Sequence, residues 1–162
     1  MLALVTGKTT EILKKKTELV ADPLDSHIQE LIPQMIETMY AEKGVGLAAN
    51  QIGQSLRLAV LEAEGQLYTL INPEITSLSQ EKVLFEEGCL SLPGEYFPIV
   101  RSESLTIKYQ DERGLPKKLR ATGFLAIVIQ HEVDHLDGIL ICDRYAKQHQ
   151  NPQYKKLYGT LD

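Results

Sequence analysis

The chain has 162 residues, of which 43% are hydrophobic and 24% are charged, and its formal net charge is −5. These values predict a single globular domain over residues 1–162 with a sizeable core. The acidic balance argues against a nucleic-acid backbone as partner. The sequence has no apolar run of about 18 residues, which argues against a membrane helix.

The first residues, MLALVTGKTTEILKKK, have an apolar stretch that ends before Thr6. Because this stretch is too short for a signal peptide, we expect a cytoplasmic protein whose thiols are reduced. Cys89 and Cys142 then need separate explanations, and a disulfide between them is the less favoured alternative. Cys142 lies in the apolar segment GILIC, which is typical of a buried thiol.

An amphipathic helix is predicted in the N-terminal part of the chain. Asp25 or Ser26 can cap its start and Gly44 can end it. Pro33 removes one backbone hydrogen bond, so we expect a kink there or a later start of the helix. The apolar residues recur at helical spacing at Ile28, Leu31, Ile32, Met35, Ile36 and Met39.

A glycine-rich segment, GVGLAANQIG at 44–53, follows and indicates close backbone packing or approach to a ligand. Asn72 and Pro73 are expected to end the second of the strands beyond it, and the turn DERG joins the last two strands into a hairpin. The runs that predict strands are 55–62, 67–71, 82–86, 104–110 and 115–121.

The segment QHEVDHLDG at 130–138 contains the clearest functional motif. Thr122 or Gly123 is expected to open a helix whose first two turns are apolar on all sides, and Asp137-Gly138 to end it. The tail, 147–162, is polar and contains Pro152, which argues against a helix there.

Two histidines four residues apart lie on the same face of a helix, so His131 and His135 can share one metal ion. Glu132, one step round the helix, is better placed as a base than as a ligand. This H-E-x-x-H arrangement is typical of metal hydrolases. Two surface histidines in a charged patch are the alternative, and the apolar turns before them argue against it.

A catalytic metal usually has three protein ligands and one open position. One class of metalloproteases places a third histidine downstream, but this chain has Ile141 at that position. His27 and His149 lie in polar segments and are expected to be solvated. Cys89, in the turn-rich stretch FEEGCLSLPG rather than in a strand, is either the third ligand or a small buried thiol, and spacing alone supports both equally.

Three segments, GVGLAANQIG (44–53), EGCLS (87–91) and QHEVDHLDG (130–138), resemble the signature motifs of the peptide deformylases in order and approximate spacing. The resemblance covers roughly residues 26 to 145. It implies an α+β fold in which antiparallel β-sheets pack around a central HExxH helix, with an N-terminal amphipathic helix. It also implies removal of the N-formyl group from the N-terminal methionine of newly made polypeptides.

The resemblance further implies that Cys89, His131 and His135 hold one divalent metal ion. The ion is expected to be Fe(II) in the cell, although Zn(II) or Ni(II) can substitute, and the ligand set suits several of these ions. Glu132 is expected to act as base and then as acid. By the same resemblance, the Gln51 amide and the Leu90 N–H stabilise the oxyanion, although Gln51 by itself would be interpreted as a surface amide.

The substrate pocket follows partly from helical spacing. Phe124, Ile127 and Val128 precede His131 by seven, four and three residues, so they form an apolar wall that fits a methionine side chain, unless they serve core packing alone. Val45 and Gly46 resemble the family's peptide-binding strand. Glu87 and Arg101 are expected to form a supporting ion pair near the cysteine loop.

The chain departs from the family at both ends. Residues 9–15 read TTEILKK where the family usually has a Pro-Asp-Pro stretch, and the tail is short for the basic helix that can dock on the ribosome. The resemblance implies nascent N-formyl-Met polypeptides as partners, and the short tail makes docking on the ribosome a secondary expectation. We expect no nucleic-acid partner and no membrane association, and we expect a monomer.

Three alternatives compete with this interpretation. A general zinc peptidase would need a downstream third ligand, against which Ile141 argues. A deformylase-like protein that has lost its activity or changed its substrate could serve only as a metal-binding module. Intact Gln51, Cys89, Glu132 and both histidines argue against the loss of activity, but they do not decide the acyl or side-chain preference. A structural metal site would need a fourth protein ligand, for which the sequence offers no candidate.

Overall fold

The computed structural model of the protein describes residues 1–159. It has an α+β fold, as predicted, with seven strands that pair only in the antiparallel sense. The strands are β1 (Gly46–Ala48), β2 (Leu58–Ala63), β3 (Gln66–Leu78), β4 (Lys82–Cys89), β5 (Leu92–Ser102), β6 (Ser104–Gln110) and β7 (Pro116–Thr122). The helices are α1 (Ser26–Ala41), α2 (Gly123–Leu136), α3 (Ile141–His149) and α4 (Pro152–Tyr158), with 3-10 turns at Glu11–Lys14 and Ala49–Ile52.

Five of these strands form one sheet in the order β1-β2-β3-β6-β7, and β4 pairs with β5 in a second sheet of two strands. Helix α2 packs on the five-stranded sheet through Leu125, Ile129 and Val133, all buried. Its buried side chains occupy more than one face, as the apolar pattern predicts. Helix α1 covers another part of the sheet, with Met35 and Met39 fully buried against Leu58.

Helix α1 corrects two expectations. It begins at Ser26, where the Asp25 side chain accepts a hydrogen bond from the His27 N–H, so the later start suggested by Pro33 is wrong. Pro33 lies on the exposed side, where loss of one backbone hydrogen bond costs least. The helix ends at Ala41 rather than at Gly44, because Lys43 adopts a left-handed backbone (φ 58°).

Strand β3 runs through the point at which the sequence predicted its end. Asn72 has a left-handed backbone (φ 53°), and the register with β6 shifts between Ile71 and Glu74. Pro73 lies within this irregularity, where a missing N–H leaves no ladder bond unmade. The strand therefore bends at the turn signal and continues to Leu78.

Strand β5 was not predicted, since Pro93, Gly94 and Pro98 are poor strand formers. Strand β5 pairs only with β4 in the two-stranded sheet, so a proline can lie where its missing N–H would point away from β4 and would have no strand to bond to. Cys89 corrects a related expectation: it is the last residue of β4, pairs with Leu92, and precedes the turn instead of lying in it.

The tail also differs from the prediction, because it contains the end of α3 and the whole of α4. Pro152 is the first residue of α4, where a missing N–H costs nothing, and the Asn151 side chain caps the helix. His149 is half-buried and stacks on Tyr145, so the expectation that it is solvated is wrong. His27 is exposed, as expected. Residues 160–162 of the predicted tail lie outside the described part of the chain.

Candidate active site

Three potential metal ligands converge where α2 meets the end of β4. The ligand atoms of Cys89, His131 and His135 all lie within 4.8 Å of one another. The His135 Nε2 atom is 3.2 Å from the Cys89 sulfur and 3.1 Å from the His131 Nε2 atom. Helix α2 supplies both histidines because its i, i+4 positions share a face, and the end of β4 brings the thiol to them.

These residues fit a single divalent metal ion. In a tetrahedral site with metal–nitrogen bonds of about 2.0–2.1 Å, two ligand nitrogens are about 3.4 Å apart, which is close to the histidine separation found here. One thiolate and two imidazoles form a ligand set suited to zinc and to other first-row ions. The His131 Nδ1 atom is 2.8 Å from Glu87 Oε1, the kind of outer partner that orients a metal-bound histidine.

Glu87 and Arg101 form the predicted ion pair, and both are buried (4% exposed). The Arg101 Nε and Nη2 atoms each donate to one Glu87 oxygen at 2.8 Å. Burial alone would raise the pKa of Glu87, but the hydrogen bonds from Arg101 and His131 outweigh it and lower that pKa to about 2. Glu87 is therefore a fixed anion that accepts a hydrogen bond from His131.

Burial disfavours a charge on either histidine. At His131, hydrogen bonds with Cys89 and Glu87 oppose that effect and raise its pKa, whereas the pKa of His135 lies well below the usual value. His135 is accordingly neutral, the form that binds metal.

Glu132 has the opposite environment from Glu87. It is 2% exposed, and its Oε1 atom has no hydrogen-bond partner among residues 1–159. Burial raises its pKa to about 7, since the nearby charges do not compensate. Gly46 makes room for this side chain: a Cβ atom at Gly46 would lie 2.3 Å from the Glu132 Oε2 atom.

Gln51 is also buried (1% exposed), so the surface interpretation based on the residue alone is wrong. Its Oε1 atom accepts a hydrogen bond from the Ala48 N–H, and its Nε2 atom donates to the Ser91 hydroxyl at 3.1 Å. That hydroxyl in turn donates to the Val5 carbonyl oxygen at 2.7 Å. The amide of Gln51 is 3.7 Å from the Cys89 sulfur, so it lies beside the candidate metal ligands.

An open cavity of about 720 Å³ adjoins these residues. Phe124, Ile127 and Val128 line it, so the apolar wall predicted from helical spacing is at the expected place. The remaining predicted residues that line it are Val45, Gly46, Gln51, Glu87, Cys89, Leu90, His131 and Glu132.

Sequence reasoning missed several residues of this site. Leu4 and Thr6 line the cavity from an N-terminal segment that has no clear helical or strand periodicity. Ser91 belongs to the EGCLS motif, and membership of this motif is the only sequence signal that points to a role for its hydroxyl. Asp134 and Arg144 extend the Glu87–Arg101 pair, as described below; these two residues share no motif.

Fold and site together define a class: α+β proteins that carry a candidate Cys-His-His metal centre of the HExxH type at the base of an open cleft. None of the helices within residues 1–159 is both long and apolar enough to span a bilayer.

Comparison with known proteins narrows this class. The sequence profile of the polypeptide deformylase family matches residues 2–151. A peptide deformylase of Dictyoglomus thermophilum is 50% identical over 137 residues, which cover 85% of this chain and 88% of that protein. The chain belongs to the polypeptide deformylase family.

Solved structures agree with this assignment. The crystal structure of peptide deformylase from Thermotoga maritima matches with a TM-score of 0.86 at 40% identity, covering 89% of this chain and 97% of that one. A Met-Ala-Ser-bound class I type b peptide deformylase from Acinetobacter baumannii matches with a TM-score of 0.83 at 34% identity, covering 88% and 97%. The fold expected from the sequence resemblance is thus confirmed.

Proposed function

We propose that this protein is a peptide deformylase, which hydrolyses the N-formyl group from the N-terminal formyl-methionine of newly made polypeptides and releases formate. The observation that carries the proposal is the convergence of Cys89, His131 and His135 beside the buried Glu132, whose Oε1 atom has no hydrogen-bond partner among residues 1–159. This cluster lies beside an open cleft in a member of the deformylase family.

Cys89, His131 and His135 would hold one divalent metal ion, with Fe(II) proposed in the cell and Zn(II) or Ni(II) able to substitute. When bound, such an ion supplies Lewis acidity that polarises a carbonyl group and makes water nucleophilic at neutral pH. A structural role for the metal would need a fourth protein ligand, and the cluster of the described residues contains three.

Glu132 takes the proton from the attacking water and passes it to the leaving amine. A general base works best when its pKa is near the working pH, and the pKa of about 7 given to Glu132 by burial meets this condition. Its carboxylate is held against Gly46, so base and peptide are brought to the same edge of the cleft.

Gln51 and Leu90 donate hydrogen bonds to the oxyanion that forms when water attacks the formyl carbon. The Gln51 amide suits this role because Ala48 and Ser91 fix its orientation and it cannot titrate. The N–H of Leu90 follows the ligand Cys89 directly in the chain, which keeps that donor close to the reacting group.

The peptide is proposed to bind along β1, an edge strand of the five-stranded sheet. The Val45 carbonyl accepts a hydrogen bond from the Glu62 N–H, so the N–H and C=O of the next residue, Gly46, point away from β2. They are free to pair with an extended substrate. Phe124, Ile127 and Val128 then form the wall for the methionine side chain.

Nascent N-formyl-Met polypeptides are thus the proposed partners, and the cytoplasm, where such chains emerge from ribosomes, is the proposed location. Docking on the ribosome and a monomeric state are further parts of the proposal. Among the described residues, α4 carries Lys155 and Lys156, the only basic pair that the short tail offers for such docking.

The test uses protein purified without oxygen and loaded with Fe(II). Formyl-Met-Ala and acetyl-Met-Ala are supplied in parallel, and release of the free amine is followed, with Glu132→Gln as the matched control. We expect release from the formyl peptide alone and its loss in the control. Absence of release from both peptides, with about one metal ion bound per chain, would contradict the proposed activity while leaving a metal-binding protein.

A further inference from the structure

A chain of charged side chains with alternating sign leads from the ligand His131 to the surface of α3. Glu87 Oε1 is 2.8 Å from His131 Nδ1, and both Glu87 oxygens accept hydrogen bonds from Arg101. The Arg101 Nη1 atom then donates to Asp134 Oδ2 at 2.6 Å. Arg144 on α3 donates to Asp134 Oδ1 at 2.5 Å and to Oδ2 at 3.2 Å.

We propose that Arg144 is a positioning residue for the metal ligand His131, acting through Asp134, Arg101 and Glu87. The proposal rests on the metal centre of the proposed function, and it adds a surface residue that acts on this centre indirectly. His131 and Asp134 are three residues apart on α2, so the four hydrogen-bonded side chains and the helix form a closed ring. Arg144 contacts this ring at Asp134 from α3.

Charge balance explains why this ring needs Arg144 at its outer side. Glu87 and Asp134 are two anions, and Arg101, which lies between them, is one buried cation. Arg144 supplies the second cation and brings the sum of the four charges to zero. Its side chain is 28% exposed, so it completes the balance at the edge of the protein, where its own desolvation cost is smaller.

Geometry explains how a loss at Arg144 would reach the metal ligand. The guanidinium group of Arg101 is planar and rigid, and it serves Glu87 with two donors and Asp134 with a third. Without Arg144, the whole negative charge of Asp134 attracts Arg101 alone. Any movement of Arg101 towards Asp134 lengthens its paired bonds to Glu87, which then no longer fixes the His131 ring.

A purely structural role for Arg144, the attachment of α3 to α2, is the competing explanation. The chain offers a matched control, because Arg57 donates to Asp137 at the end of the same helix at 2.8 Å. Arg57 also ties another segment to α2, through the Asp137 carboxylate and the Leu136 carbonyl oxygen, and its side chain is 11% exposed. Asp137, however, has no hydrogen bond to the Glu87–Arg101 pair among the described contacts.

The experiment loads the metal-free full chain with Co(II) without oxygen and records its visible and near-ultraviolet absorption. The dissociation constant is obtained by competition with a chelator. We expect Arg144→Met to weaken Co(II) binding by about tenfold, the lower end of the 10–100-fold effect of outer-shell partners, and to shift the absorption bands. Arg57→Met should leave both the affinity and the bands unchanged.

Arg144→Lys provides a graded second variant, because it keeps the positive charge but loses the two-donor fork. We expect it to restore most of the Co(II) affinity, and it carries the test if Arg144→Met does not fold. The proposal is wrong if Arg144→Met binds Co(II) as the wild type does, or if Arg144→Met and Arg57→Met lose affinity equally. Failure of the wild type to bind Co(II) would instead overturn the metal centre of the proposed function, and this readout needs no catalytic activity.

Discussion

Glu87 and Glu132 flank the same candidate metal ligands and are both buried (4% and 2% exposed), but their pKa values are shifted in opposite directions. Glu87 has Arg101 and His131 as partners, and its pKa falls to about 2. Glu132 has an oxygen without a partner among residues 1–159, and its pKa rises to about 7. Hydrogen-bond partners rather than depth of burial therefore decide which carboxyl is a fixed anion and which can exchange protons.

The largest expected effect comes from removing the proton-exchanging carboxyl. Glu132→Gln keeps the size of the side chain but cannot accept a proton, so we expect kcat for formyl-Met-Ala to fall by about 10²–10⁴-fold. Metal content should stay at the wild-type level, because Glu132 lies outside the Cys-His-His set. Steady-state kinetics with metal analysis checks both expectations. A wild-type kcat in this variant would show that Glu132 is not the group that exchanges protons during the reaction.

Glu87→Gln should act on metal binding and stability instead. The variant leaves Arg101 without its anionic partner in a buried position, which is expected to cost about 3–5 kcal/mol of unfolding free energy. It also removes the charged acceptor of His131, so metal affinity should fall by about 10–100-fold. Urea unfolding and chelator competition measure the two effects. An unchanged metal affinity would show that Glu87 serves only the fold.

The pH dependence of stability in the metal-free protein separates the two carboxyls. Since the pKa of Glu87 is about 2 in the folded protein and 4.5 as the ordinary value, its stabilisation is complete above pH 4.5 and is lost as pH falls towards 2. For Glu132 the folded protein binds the extra proton, so stability falls as pH rises from 4.5 to about 7. Each effect is on the order of 3 kcal/mol, at 1.36 kcal/mol per pH unit.

Urea unfolding at a series of pH values tests these signs. Glu87→Gln should remove the part of the stability loss below pH 4.5 that Glu87 causes, and Glu132→Gln should remove the part of the decline between pH 4.5 and 7 that Glu132 causes. The wild-type curve minus each variant curve cancels the titrating groups that contact neither carboxyl, and leaves the effect of that carboxyl together with its coupling to His131. If the two difference curves change with pH in the same direction, the assignment of opposite environments to Glu87 and Glu132 is wrong.

Ser91→Ala should have the smallest effect, because the partner that it removes is neutral. Gln51 loses one hydrogen bond from its amide, and a neutral bond contributes about 1 kcal/mol. We expect kcat to fall by about fivefold, with KM little changed if Gln51 acts on the oxyanion alone. Ser102→Ala, at a buried serine of β5 outside the cleft, is the control. A fall in kcat as large as that of Glu132→Gln would contradict the expectation that loss of a neutral hydrogen-bond partner has the smaller effect.

Local patterns were enough to predict α1, α2 and five of the seven strands, because periodicity and turn residues act within a few positions. The same local signals misled where tertiary contacts dominate. Pro73 lies in a bulge of β3, and Pro98 lies in a strand with one neighbour, so neither ends its strand. Pro33 is tolerated because it faces solvent.

The HExxH spacing predicted the histidines of the site from helix geometry alone. Cys89 needed the family resemblance, since nothing local states that the end of β4 meets α2. Gln51 by itself suggested a surface amide, because its burial depends on Ser91, 40 residues away. Arg144 was beyond prediction for the same reason: its role depends on two other segments that only the fold brings together.

In the proposed binding mode, strand β1 offers the substrate three residues of open sheet edge, Gly46–Ala48. Main-chain pairing is common to every polypeptide, so we expect such an edge to accept many different sequences. Its shortness should also limit how long a product stays bound, because few backbone hydrogen bonds can form. The length of this strand would then balance capture of the substrate against release of the product. An edge of three residues also gives little room for another copy of the chain to pair there.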